Sequence, residues 1–209
     1  MKNLMFVITM LIGMNIPAMA QLELDIMKGS TLVPQEGTIL IYEVDFYGNS
    51  YDFLVLIHEI KKDKVVFEYL MTNPNQTSGS ITMTAEALES ATSQFNFFSG
   101  GPVTLEDMTS VWISRKVFGE LTGEKGRSTI SPDGGQTRVE LIGKKVGYDY
   151  SLYNHISERQ FDNIAYYYAE SADGDIKYWI GTSRGVPIIL KMDLGWKIWL
   201  REMARVEEE

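Results

Sequence analysis

In TILIYEVDFY, residues 38–47, one parity holds Leu40, Tyr42, Val44 and Phe46, while the other ends in Glu43 and Asp45. A strand sends successive side chains to opposite faces, so this period of two predicts a strand with one buried face. After the turn cluster Gly48-Asn49-Ser50, YDFLVLIHEI starts a second strand, whose continuous apolar centre from Phe53 to Ile57 predicts cover on both faces. Lys61-Lys62-Asp63-Lys64 makes the next turn and VVFEYLM returns, giving an antiparallel meander.

The other end repeats the style. NIAYYYAES, residues 163–171, turns at Ala172-Asp173-Gly174-Asp175 into IKYWIG, and VPIILKMD and WKIWLREM follow. Pro187 suits the start of a strand better than its middle. Trp196, Ile198 and Leu200 take one side of the last strand, and Lys197, Trp199 and Arg201 the other. Between the meanders, STIS, Pro132-Asp133-Gly134-Gly135 and QTRVELIG predict a further hairpin.

Helical signal is confined to AEALESA, residues 85–91, and RKVFGEL, residues 115–121, both too short to stand alone. They belong to an internal echo. Ser80-Ile81-Thr82-Met83-Thr84 aligns with Ser110-Val111-Trp112-Ile113-Ser114, and Leu88 with Phe118. Each copy predicts a short strand, a hydroxyl N-cap and a hydrophobic staple, Met83 against Leu88 and Ile113 against Phe118. Ser114 is thus a cap worth about 1 kcal/mol, and not a nucleophile. It lacks a G-x-S-x-G elbow, and Lys116 lies two residues on where a serine-lysine pair needs three. Arg115 and Lys116 oppose the helix dipole and hint at an anion-facing role; with Trp112 they would form a surface for a partner.

Residues 1–20, MKNLMFVITMLIGMNIPAMA, place Lys2 before an apolar run and end in an A-x-A site. That order predicts a secretory signal peptide cleaved after Ala20, a periplasmic or secreted location, and no transmembrane segment in the remainder. Residues 21–209 are expected to form one β-rich domain, because either half alone would leave long sheet edges open. Cysteine is absent, which removes thiol catalysis and thiolate metal sites. The formal charge of -9 is offset by no basic cluster, so nucleic acid is a poor partner.

Candidate chemistry is sparse. His58 reads as a half-buried strand residue, and His155 shares a possible helical face with Glu158, short of the three ligands of a catalytic zinc. No metal or cofactor is expected. Glu106, Asp107, Asp149, Asp173 and Asp175 are candidates for a general acid and base, although the two aspartates around Gly174 suit a turn. Asn75-Gln76-Thr77 fits a glycosylation sequon by chance. Tyr167, Trp179 and Trp199 lie opposite the more uniformly apolar faces of their strands, and form either a surface under the helices or the wall of a ligand cavity.

LVPQEGTILIYEV and KYWIGTSRGVPIILKMDLGWKIWL together resemble the half-barrel proteins of lipoprotein sorting, the LolA and LolB type, and related exported families. The resemblance implies a curved antiparallel sheet covered by short helices, with an apolar pocket between them for acyl chains. The chain is therefore expected to be mainly β, a half-barrel-like sheet under two short helices. Its expected role is a noncatalytic binding or carrier module of the periplasm or envelope for a hydrophobic ligand or envelope protein, with Trp179, Trp199, Tyr167 and Trp112 as ligand-binding residues. A secreted hydrolase using carboxylates and a structural protein of the envelope are the alternatives.

Overall fold

The computed structural model describes residues 29–205. The signal-peptide segment 1–20 and the cleavage point lie outside the described residues. The fold is mainly β, built on an eleven-stranded, predominantly antiparallel sheet in the order β6-β4-β3-β2-β1-β13-β12-β11-β10-β9-β8. The meander expected at the start is present as β1 (Thr38–Phe46), β2 (Asn49–Lys61), β3 (Lys64–Met71) and β4 (Ser78–Met83). The second meander is β9 (Val139–Asn154), β10 (Arg159–Ser171), β11 (Lys177–Gly181), β12 (Ile189–Asp193) and β13 (Lys197–Arg205). It meets the first where β13 pairs antiparallel with β1, Thr38 opposite Arg205.

Alternation decides which residues face the core. Leu40, Tyr42 and Val44 of β1 sit opposite Val55, Phe53 and Tyr51 of β2, and the buried set continues through Ile198 and Leu200 of β13. Over this face lies the middle of the chain: α1 (Ala85–Ser90), β5 (Ser93–Gln94), β6 (Gly101–Leu105), β7 (Met108–Thr109), α2 (Arg115–Thr122) and β8 (Arg127–Ile130), of which β6 and β8 join the sheet as its two edges. Leu54 and Leu56 are only half-buried on the other face, so the continuous apolar run of β2 is covered fully on one side alone. A bulge between Ile57 and Glu59 moves Ile60 across from the parity of Leu54 and Leu56, and leaves His58 exposed with its Nε2 3.4 Å from Glu68.

Both predicted caps are present. Thr84 accepts a hydrogen bond from the Ala87 amide and Ser114 from the Val117 amide, at 3.4 and 3.3 Å. The Ser114 hydroxyl also donates to the Ala91 carbonyl at 2.6 Å, so the second cap holds the end of the first helix. The echo is looser before the second cap, because Trp112 makes only an isolated bridge to Ile188 where the first copy has strand β4. Arg115 is no anion receptor. Its guanidinium bridges Glu89 at 2.7 Å, the Lys62 carbonyl at 2.7 Å and the Gly185 carbonyl at 3.2 Å, and so ties the covering layer to two sheet turns.

Strands β9 and β10 are much longer than the alternation around NIAYYYAES implies, and their hairpin overshoots the five-residue strands β11 and β12. Its far end folds back until Tyr153 and Asn154 pair in parallel with Glu202 and Met203 of β13. Strands β9 to β13 thereby meet in a local ring while the whole sheet stays open. His155 lies at the tip of this hairpin and not on a helix with Glu158. Its amide donates to the Met203 carbonyl, and its Nε2 lies 2.6 Å from Glu202.

Candidate functional site

Cross-strand register brings Trp179 and Trp199 together. Tyr168, Trp179, Lys191 and Trp199 are direct partners on four neighbouring strands, so they form one row on the face away from the helices. The folded-back β9–β10 hairpin overhangs this row and encloses a groove of about 590 Å³. Tyr150 hangs from the overhang, its hydroxyl 2.8 Å from the Leu190 carbonyl and 2.6 Å from the Leu200 carbonyl, which pins β9 across β12 and β13. Burial pushes the Tyr150 phenol well above its ordinary range, so it stays a neutral donor.

The Tyr166 hydroxyl donates to Asp149 at 2.6 Å. Burial first, and then the Asp149 carboxylate, push the Tyr166 phenol up to about 12, and the same hydrogen bond holds Asp149 below the usual carboxylate range. Close approach makes this possible. A Cβ on Gly147 would lie 2.2 Å from the Tyr166 ring, so only glycine lets that ring settle on β9. At the mouth, Arg201 holds Glu202 at 2.8 Å, and the bond from His155 is the first cause of a lowered Glu202 carboxyl. These walls are hydrogen-bonded in place, and the groove is preformed.

Tyr167 and Trp112 do not join this row. Tyr167 points to the covered face, stacks on Phe118 with ring centroids 6.3 Å apart and donates to the Leu121 carbonyl. The run Tyr166-Tyr167-Tyr168 carries no polar residue to fix its parity, and its unbroken pairing with β11 puts Tyr167 opposite Ile180 and Tyr168 opposite Trp179. Trp112 is 0 % exposed and packs on Phe67 at 5.4 Å, so it is core and offers no surface to a partner.

No family model, curated protein or solved structure matches the chain. Function is therefore read from local geometry. Of the five candidate carboxylates, Asp149 alone lines the groove. Glu106 and Asp107 occupy the exposed turn after β6, and Asp173 closes its own turn by accepting from Ser171 and the Asp175 amide. Among the described residues no three His, Asp or Glu side chains gather in a way that would hold a metal ion.

A second pocket, missed in the sequence, opens between the sheet and its cover. It has a volume of about 400 Å³, and Phe46, Tyr51, Met71, Phe97, Phe98 and Trp196 line it. Phe98 stacks on Phe53 and Tyr69 at 4.7 and 4.9 Å and forms the back wall, while Tyr47 and Phe97 stand at the rim, 74 % and 53 % exposed. Phe53, Asn96, Phe98, Trp196 and Ile198 also border a smaller cavity further in, of about 30 Å³. The Ser110 hydroxyl and the Asn96 carbonyl oxygen line that inner space and have no hydrogen-bond partner. The signal was available in FNFF, residues 95–98, a run of aromatics in a segment with neither strand nor helix period.

Proposed function

We propose that this protein is a noncatalytic binding or carrier protein of the periplasm or cell envelope, and that it takes a hydrophobic ligand in the pocket between sheet and cover. The observation that carries the reading is the aromatic pocket itself. Its volume of about 400 Å³ falls in the range of roughly 300–1,000 Å³ usual for small-molecule sites, and its lining is dominated by aromatic side chains. Asn96 and Gln136 are among the few polar residues of that lining, and such groups orient a ligand in an otherwise apolar site. The resemblance to the lipoprotein-sorting half-barrels implies an apolar pocket under the helices; this one is lined by the sheet and by loop residues such as 96–98, with no residue of either helix.

Titration calorimetry with saturated fatty acids of graded length tests it. One-to-one uptake is expected, with affinity rising as the chain lengthens until the pocket is filled. Phe97→Asp, at an exposed rim position, is expected to weaken uptake by about tenfold or more without unfolding the protein. Absence of uptake at every chain length would remove the reading.

A further inference from the structure

The groove under the β9–β10 hairpin is chemically unlike the aromatic pocket, and its charge is out of keeping with the chain. Lys191, Lys197 and Arg201 face only Asp149 and Glu202 there, a local excess of positive charge in a protein of net charge -9. Arg201 is already held by Glu202, Glu43 and Asp52. Lys197 stands in register between Asp193 and Asp45. Lys191 has tryptophans in those places: its cross-strand partners are Trp179 and Trp199, and no carboxylate lies within ion-pair distance of it among the described residues. Half-buried, its ammonium rests 4.6 Å above the Trp179 ring. A cation–π contact only partly replaces lost hydration, so an anion delivered to Lys191 would find an ammonium without a counterion.

The rest of the groove narrows what carries that anion. Strands lie about 4.8 Å apart, so Trp179 and Trp199 flank Lys191 at a separation of about 10 Å. Trp199 makes no ring or cation contact among the described residues, which leaves its indole as a platform for a ring. Polar residues line the groove as well: Ser151, Gln160 and Tyr153, with Asp149, whose carboxylate accepts from Tyr166. A plain aromatic anion has no hydroxyls to offer such residues where it covers them, at a cost; a polyhydroxylated ring has. We propose that this groove is a second binding site, for an acidic saccharide, with a sugar ring on Trp199 and its carboxylate on the Lys191 ammonium. The site stands on its own geometry, so its failure would leave the reading of the aromatic pocket untouched.

Tryptophan fluorescence and calorimetry with trigalacturonate, cellotriose and benzoate test the assignment on the folded protein. Expected are saturable binding of trigalacturonate that weakens as salt is raised, and binding of cellotriose and of benzoate at least about tenfold weaker. Lys191→Met is expected to lose at least about tenfold in affinity for trigalacturonate, and Lys191→Arg to keep most of it. The proposal is overturned by no saturable uptake of trigalacturonate, by equal uptake of cellotriose, by tighter binding of benzoate, or by a folded Lys191→Met protein with unchanged affinity. The comparison of the three ligands on the parent protein decides the matter even where a variant does not fold.

Discussion

Val111 holds φ at 64°, a left-handed conformation that a β-branched side chain adopts only under constraint. The constraint is visible: the Ile189 amide donates to the Val111 carbonyl, the Ile113 amide to the Pro187 carbonyl, and the Gln94 side chain to the Trp112 carbonyl. The twist buries Ser110 at the small inner cavity and Trp112 against Phe67. Such a fate is set by partners far away in the chain, so a local reading of SVWISRK found the Ser114 cap and misplaced Trp112. Asp133 shows a different residue-scale device. It accepts from the Thr137 hydroxyl and amide and from Ser131, and these bonds, that of the Thr137 hydroxyl foremost, lower its carboxyl from 3.8 to about 2. A carboxyl depressed in the folded state stabilises above its unfolded value and loses that contribution as pH falls toward the folded one. Asp133→Asn should therefore melt lower than the parent at pH 7, by roughly 2 °C for a half-buried group close to solvent, with the gap closing between about pH 4 and pH 2. Thermal melts over that range check it.

Strand β9 was the least legible element. Its second half, VGYDYSLYN, does alternate, with Val146, Tyr148, Tyr150 and Leu152 on the more buried parity and Gly147, Asp149, Ser151 and Tyr153 on the other, but that period gives neither its length nor its place. No single strand shows that a hairpin will outgrow its neighbours and fold over them. The parity of Trp179 and Trp199 was legible, since each sits in a strand with a plain apolar face opposite. The overhang depends on Tyr150, whose hydroxyl serves carbonyls on two strands. Tyr150→Phe should cost about 1 kcal/mol by removing the hydrogen bond that the phenol shares between them. It should also speed hydrogen exchange of the His155 amide, which bonds to Met203 at the same latch, more than exchange in β2. Equal protection in both proteins would show that the hairpin is held elsewhere.

At the scale of the molecule, the mainly β class and the pair of meanders followed from alternation and turn chemistry, and the order of the strands did not. Alternation shows which face is buried, and says nothing of which strand lies beside which. The sheet runs unbroken from β6 to β8, and the middle of the chain packs against it, with Phe98 on Phe53 and Tyr69 and with Phe118 on Tyr167. Urea unfolding is therefore expected to be a single transition, with tryptophan fluorescence and far-UV circular dichroism superimposing. Two separated steps would mean that the meanders unfold as independent units.

The pairing of β1 with β13 also sets an order of events in time. It joins the first and last strands of the described chain at the centre of the sheet, and a contact of such long sequence separation forms late, after the loop between has been closed at an entropic cost. Until β13 docks, β1 and β12 both present open edges, so the nascent chain passes through a stage in which it can accept a foreign strand. A folding chain of this topology is at its most adhesive just before completion, and a chaperone that shields strand edges would act on it there.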